Sequence, residues 1–257
     1  MFSFVRFLCL AMALITGPAL AHERLALVIG NAGYTNVPEL DNPLNDARLM
    51  RDTLKNAGFK VTMLTDADRA EMMHAVERFE NTVRAAGSDV LVIFYFAGHG
   101  LRSDDFNYLI PLDVNIQAED DIARESISAE WVLDRIHNPE AISVMILDAC
   151  RNNPFDSSQS DVFVDLGDGL ARMTARKNNL IAYATGPGDV ALDGSSTNSP
   201  YTAALVRAIR TRGLKVEDTF EQVRLEVVNE TSGVQVPWAT SSLDITIGIK
   251  RHTLSRR

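Results

Sequence analysis

Cysteine is nearly missing from this 257-residue sequence: there are two, Cys9 and Cys150. Such scarcity excludes a scaffold stapled by disulfides, and with the few histidines scattered it leaves no zinc ligand set. Basic charge is short as well, with 25 Lys and Arg against 34 Asp and Glu, a formal net charge of −9. An acidic surface disfavours nucleic acid and anionic membrane as partners. There is no internal repeat and no low-complexity segment, and the turn after the first strand lacks the three-glycine phosphate fingerprint of nucleotide-binding α/β domains. Apolar residues at 46% and charged residues at 23% are ordinary for a soluble globular protein. The length admits one large α/β domain or two small ones.

The N-terminus departs from that average. Met1–Arg6 carries one positive charge, Phe7–Ile15 is apolar, and Ala19-Leu20-Ala21 supplies small residues at a cleavage position. This is the three-part pattern of a secretory signal peptide, and its apolar run is too short to span a bilayer comfortably as a helix. An uncleaved anchor is the competing reading. Residues 1–21 are therefore expected to be a signal peptide, with a mature start near His22, a periplasmic or secreted location and no membrane contact after cleavage. Cys9 lacks the small residues that precede a lipoprotein cysteine, and its loss with the leader makes Cys150 a lone thiol. A single free cysteine in an oxidising compartment calls for a chemical reason.

What is present is a set of apolar runs. Asp89–Gly100 (DVLVIFYFAGHG) and Ala141–Pro154 (AISVMILDACRNNP) show no polar alternation, the pattern of strands buried on both faces of a parallel sheet. Arg24–Gly30, Phe59–Leu64 and Leu180–Ala184 read as further strands, Phe106–Ile110 as a short extended piece, and Leu243–Ile249 as a last strand, with Trp238 in a loop. Helices are expected from Pro43 to about Ala57, from Asp66 or Asp68 to Gly87, from a Ser128 cap to about His137 burying Trp131, from Ser199-Pro200 to about Arg210, and along the Val216, Phe220, Val223, Val227 stripe. His74 lies off its helix stripe and reads as a solvated surface residue. This order of elements favours one doubly wound α/β domain over residues 22–250, followed by a basic tail at 251–257.

In such sheets the reactive crevice lies at the carboxyl ends of the strands. Two of the runs end there in reactive side chains, His99 and Cys150. Either residue alone reads more simply as structural, since a cysteine ending an apolar strand is often a buried small hydrophobe. Together they form a candidate nucleophile–base pair. Gly98 and Gly100 leave the backbone around His99 open, so the Gly100 N–H is placed to join that of Cys150 in an oxyanion hole.

YFAGHG (Tyr95–Gly100) and LDACRNNPF (Leu147–Phe155) resemble the catalytic His and Cys motifs of the caspase-like cysteine peptidases, most closely their bacterial, metacaspase-like branch. Cys150 lies 51 residues after His99, against a spacing of about 50 in caspases. The likeness continues through ALVIGN (Ala26–Asn31), NPLNDA (Asn42–Ala47), NYLIP (Asn107–Pro111), AYATGPG (Ala182–Gly188) and SPYT (Ser199–Thr202). It implies a three-layer α/β sandwich with a mostly parallel central sheet and helices on both faces. It further implies a cysteine endopeptidase in which Cys150 attacks and His99 is the general base, with a backbone carbonyl able to orient the imidazole.

The resemblance also implies an acidic S1 pocket for Arg or Lys, in which Asp46 and Asp148 match. Ala97 replaces the family's serine two residues before the histidine. The residue-level alternative is that Asp46 solvates its helix and Asp148 bonds backbone. The expected partner is a peptide or protein substrate with an exposed Arg or Lys. No cofactor is expected: Ca2+ activation occurs among relatives, but no calcium loop is evident. Arg151, Arg172, Arg176 and Lys177 are candidate self-cleavage points, against the plain reading of a surface loop. Oligomeric state is left open. The readings from other classes are a caspase-fold module that binds peptides without catalysis and, more remotely, a nucleotide-binding α/β domain.

Overall fold

The computed structural model describes residues 23–149, 169–189, 191–194, 196–244 and 248–249. The expected signal peptide, Cys150, Arg151 and the tail at 251–257 lie outside the described residues.

Six strands form the central sheet. They are β1 (Glu23–Gly30), β2 (Lys60–Thr65), β3 (Val90–Ala97), β7 (Ile142–Asp148), β8 (Asn179–Tyr183) and β9 (Trp238–Ser241), in the order β2-β1-β3-β7-β8-β9. All neighbours are parallel except the last pair, β8 with β9. Strands β3 and β7 are buried at every position, as their unbroken apolar runs require of strands covered on both faces. Helices α1 (Pro43–Asn56), α5 (Pro200–Arg210) and α6 (Val216–Glu230) pack together as one layer, while α2 (Arg69–Ala86) and α4 (Ala129–Ile136) pack together as another. The result is the expected three-layer α/β sandwich.

Local chemistry sets the helix starts. Asp68 accepts the Glu71 N–H at 2.8 Å, and the Glu71 carboxylate accepts the Asp68 N–H at 3.1 Å, forming a capping box on α2. Ser128 caps α4 through the Trp131 N–H, and Ser199 caps α5 through the Thr202 N–H with Pro200 at the first helical position. Trp131 is only half-buried, because the Arg135 guanidinium stacks 3.8 Å over its ring in place of core.

Two expectations need correction. The last strand is Trp238–Ser241, and none of the described residues of the expected Leu243–Ile249 strand is extended sheet. Trp238 opens that strand and does not sit in a loop. The expected extended piece Phe106–Ile110 is β5 (Phe106–Leu109). It belongs to a second, three-stranded antiparallel sheet that the sequence does not announce, with β4 (Gly100–Ser103), β6 (Ile127–Ser128) and the single-turn α3 (Ile122–Glu125) leading into it. This sheet rises directly from His99, covering the carboxyl edge of the main sheet with a small core that includes Tyr34, Leu101 and Ile110.

Asn31 ties these parts together at the end of β1. Wholly buried, it donates to the Ala67 carbonyl at 3.1 Å and the Ile110 carbonyl at 3.3 Å, and accepts the Ala67 N–H at 3.0 Å. Leaving buried partners unpaired costs about 1–3 kcal/mol for each group. Asn31→Ala is therefore expected to lower stability by roughly 2–4 kcal/mol in urea denaturation, with the m-value unchanged.

Candidate active site

The register of the central sheet brings the two reactive ends together. Ala97, the last residue of β3, pairs with Asp148, the last of β7. His99 follows Ala97 by two residues, and the neighbouring parallel strand β7 ends at Asp148 on the same rim of the sheet. The Gly98 N–H donates across to the Asp148 carbonyl at 3.3 Å. Gly100 lies so close to Ala149 that a Cβ built on it would fall 2.4 Å from the Ala149 carbonyl oxygen. Only glycine permits that approach. Cys150 lies outside the described residues, and the described neighbour that precedes it, Ala149, is packed against the backbone of the His99 motif.

His99 is buried, with 4% of its surface exposed. Its Nε2 lies 2.7 Å from the Pro38 carbonyl oxygen. A carbonyl can only accept, so Nε2 carries a proton, and in the neutral tautomer Nδ1 is the basic nitrogen. The tilted ring of Tyr34 packs on the imidazole at 4.8 Å between centroids. Both Pro38 and Tyr34 come from the connection between β1 and α1. That turn-rich segment supplied no periodic signal, and a backbone carbonyl leaves no mark in a sequence.

In the β4–β5 ladder Ser103 faces Phe106 across a two-residue turn, so Gly100 and Leu109 form a non-hydrogen-bonded pair. The Gly100 N–H thus turns away from β5.

Asp46 and Asp148 meet at the N-terminus of α5, and both are fully buried. Asp46, in the first turn of α1, accepts from Asn198 Nδ2 at 2.8 Å and from the Ser199 N–H at 3.1 Å. Asp148 Oδ2 accepts from Ser199 Oγ at 2.5 Å and from Thr202 Oγ1 at 3.0 Å. Thr202 has spent its one proton on Asp148, so its 2.6 Å contact with the Tyr95 hydroxyl has the tyrosine as donor. Burial above all, and then the Asp148 charge, push the Asp46 carboxyl up to about 7. Burial and the same two acids also push the Tyr95 phenol well above its usual range.

The sequence reading missed the groups that hold this pair. Ser199 was seen only as a helix cap, yet its N–H serves Asp46 and its hydroxyl serves Asp148. Its place in SPYT, directly after an Asn, was the available signal. Ala97 has no hydroxyl, and the hydroxyls that reach Asp148 are those of Ser199 and Thr202 at the start of α5. Asp193 was also overlooked. Its carboxylate accepts the Asp41 N–H at 2.9 Å, its carbonyl accepts from Asn42, and its charge adds to the negative field at Asp46. Among the candidate cleavage points, the Arg172 guanidinium lies 5.3 Å over the Trp238 ring and Arg176 pairs with Asp134. Lys177 is exposed.

Comparison with known proteins gives the family. The chain is 30% identical over 180 residues to the mucosa-associated lymphoid tissue lymphoma translocation protein 1 of Homo sapiens, covering 69% of this chain and 20% of that protein. The Mus musculus homolog matches to the same extent. A paracaspase of Dictyostelium discoideum is 24% identical over 196 residues, 75% of this chain and 45% of its own length. The chain thus spans from a fifth to under half of the curated relatives it matches. The Caspase domain family matches residues 23–246, nearly all of the chain after the leader-like segment, and this protein belongs to that family of caspase-like peptidases.

Proposed function

We propose that this protein is a cysteine endopeptidase that cuts peptide bonds after Arg or Lys. The observation that carries the specificity is the pair of fully buried carboxylates, Asp46 from α1 and Asp148 from β7, at the rim that also bears His99 and the strand end leading to Cys150. Two like charges out of water repel, and a guanidinium or ammonium between them offsets both the repulsion and the lost hydration. Asp193 adds to the same field.

Cys150 acts as nucleophile. With Nε2 held by Pro38, Nδ1 of His99 accepts the thiol proton and returns it to the departing amine, which splits the amide hydrolysis into acylation and deacylation. The thiolate attacks the scissile carbonyl, and the oxyanion is met by the N–H groups of Gly100 and Cys150. Water then releases the acyl group, with His99 as base again. The protein is exported with cleavage after Ala21, so N-terminal sequencing of the processed protein is expected to begin at His22.

With fluorogenic peptides ending in Arg, Lys or Asp, turnover is expected on the first two and absent after Cys150→Ala. Equal turnover by this variant would remove the nucleophile assignment. A protein that binds Arg peptides without cleaving them would leave the binding-module reading in its place. Asp148→Asn is expected to reduce kcat/KM on Arg peptides by roughly a hundredfold or more, the usual scale for removing one member of a buried charge pair. A shift of preference to Asp peptides in the wild type would overturn the pocket.

The raised Asp46 carboxyl also makes a stability prediction. Its folded pKa of about 7 exceeds the ordinary value of 3.8, so between those values the folded state holds a proton that the unfolded state has lost. This stabilisation is complete below about pH 4 and fades as pH rises through 7. The wild-type melting temperature is expected to fall from pH 5 to pH 8 relative to Asp46→Asn, whose profile is flatter. Parallel profiles would show that Asp46 titrates normally.

A further inference from the structure

Within the proposed peptidase reading, the hydroxyl of Tyr34 holds a place in the hairpin that carries His99. The β4–β5 ladder pairs Gly100 with Leu109, so its next rung joins His99 to Ile110. Hydrogen-bonded pairs alternate with open ones from the two-residue turn outward. By that count the His99–Ile110 rung is one in which both residues exchange N–H and C=O. Half of the exchange is made directly, the Ile110 N–H donating to the His99 carbonyl at 3.1 Å. In the other half the His99 N–H donates to the Tyr34 hydroxyl at 3.0 Å, and that hydroxyl donates to the Ile110 carbonyl at 3.1 Å. A phenol oxygen stands inside the rung.

We infer that Tyr34 is a positioning residue for the general base: its hydroxyl wedges open the last rung of the β4–β5 ladder and thereby aims the His99 ring at the Pro38 carbonyl. Four observations converge on this assignment. Tyr34 is 2% exposed, so its hydroxyl is not placed by solvent. Its ring packs on the imidazole itself. The same short connection supplies Pro38, which receives Nε2. Finally, a Cβ on Gly98 would lie 2.7 Å from the Tyr34 hydroxyl oxygen, so the residue before His99 must be glycine for the wedge to fit. Without the oxygen, the His99 N–H and the Ile110 carbonyl close on each other directly. The rung is then satisfied, and the backbone of His99 shifts toward β5 and away from Pro38.

That self-repair gives the test its sign. Tyr34→Phe retains the ring, and the freed His99 N–H meets the Ile110 carbonyl, which keeps its Asn31 donor, so the melting temperature is expected to stay within a few degrees of wild type. On an Arg peptide, kcat per active site titrated with an irreversible thiol alkylator is expected to fall about tenfold, with KM within twofold. An unchanged kcat per titrated site would overturn the assignment, as would a loss confined to melting temperature and active fraction. An independent readout is the exchange of the His99 Nε2 proton with solvent, followed by NMR in the Cys150→Ala background. It is expected to be slow when Tyr34 is retained and at least tenfold faster when Tyr34→Phe is added. Equal exchange rates would also overturn the assignment. If the wild type cleaves no peptide while the exchange rates still differ, the peptidase reading fails and the wedge stands.

Discussion

The parallel pairing of β3 with β7 is the constraint on which the site depends. Its register sets Ala97 opposite Asp148, and three placements follow from that single rung. The histidine and cysteine motifs leave the sheet side by side. Asp148, as the last paired residue, turns its side chain toward the α5 layer and its carbonyl toward Gly98. A slip of one residue would reverse which face each side chain meets, sending Asp148 away from Ser199 and Thr202. Both strands are buried at every position, so the apolar pattern alone does not resist a slip. The polar end at Asp148, met by the Ser199 and Thr202 hydroxyls, marks the register.

The acid pair shows how a fold tolerates two like charges out of water. Ser199 has one N–H and one hydroxyl proton, and each goes to a different carboxylate. Both donors sit at the N-terminus of α5, where the helix dipole also favours negative charge. These contacts offset part of the cost of burial. The remainder appears in Asp46, whose carboxyl holds its proton up to about 7. Had the site been built for stability alone, apolar residues of similar volume would serve as well or better. An arrangement that retains two carboxylates at this cost is the one expected where a cation from another molecule completes it.

Much of this was legible in the sequence because the strands of the sheet interior carry an unmistakable pattern. DVLVIFYFA and ISVMILD show no polar alternation, Ser143 alone being polar between Ile142 and Leu147, and their neighbours in the structure lie where such runs must. Helix starts were equally readable, since Asp68, Ser128 and Ser199 cap by side-chain chemistry that is local. The errors fall where burial is one-sided or absent. Strand β9 pairs only with β8, and its four residues are exposed or half-exposed, so WATS has no apolar signature. The alternating apolar residues after it drew the strand assignment instead. Of the β4–β5–β6 sheet only β5 matches an expected piece, Phe106–Ile110. Its strands are two to four residues long, too short for a period to emerge.

The supporting groups of the site were illegible for a different reason. A side chain proposed to react or to bind charge must be of a particular type, so His99, Cys150, Asp46 and Asp148 could be chosen by chemistry. The groups that hold them need only present a donor or an acceptor in the right place. Pro38 does so with a main-chain carbonyl, which any residue possesses. Tyr34 does so from a loop with no period, across 65 residues of sequence. Ser199 looked fully explained as a helix cap, and its second use required knowing that α5 begins where β7 ends. Positioning depends on distances between elements, and those distances exist only once the sheet register has been fixed. The sequence thus states the reactive groups directly, while their alignment is written in the packing of segments that carry no reactive residue.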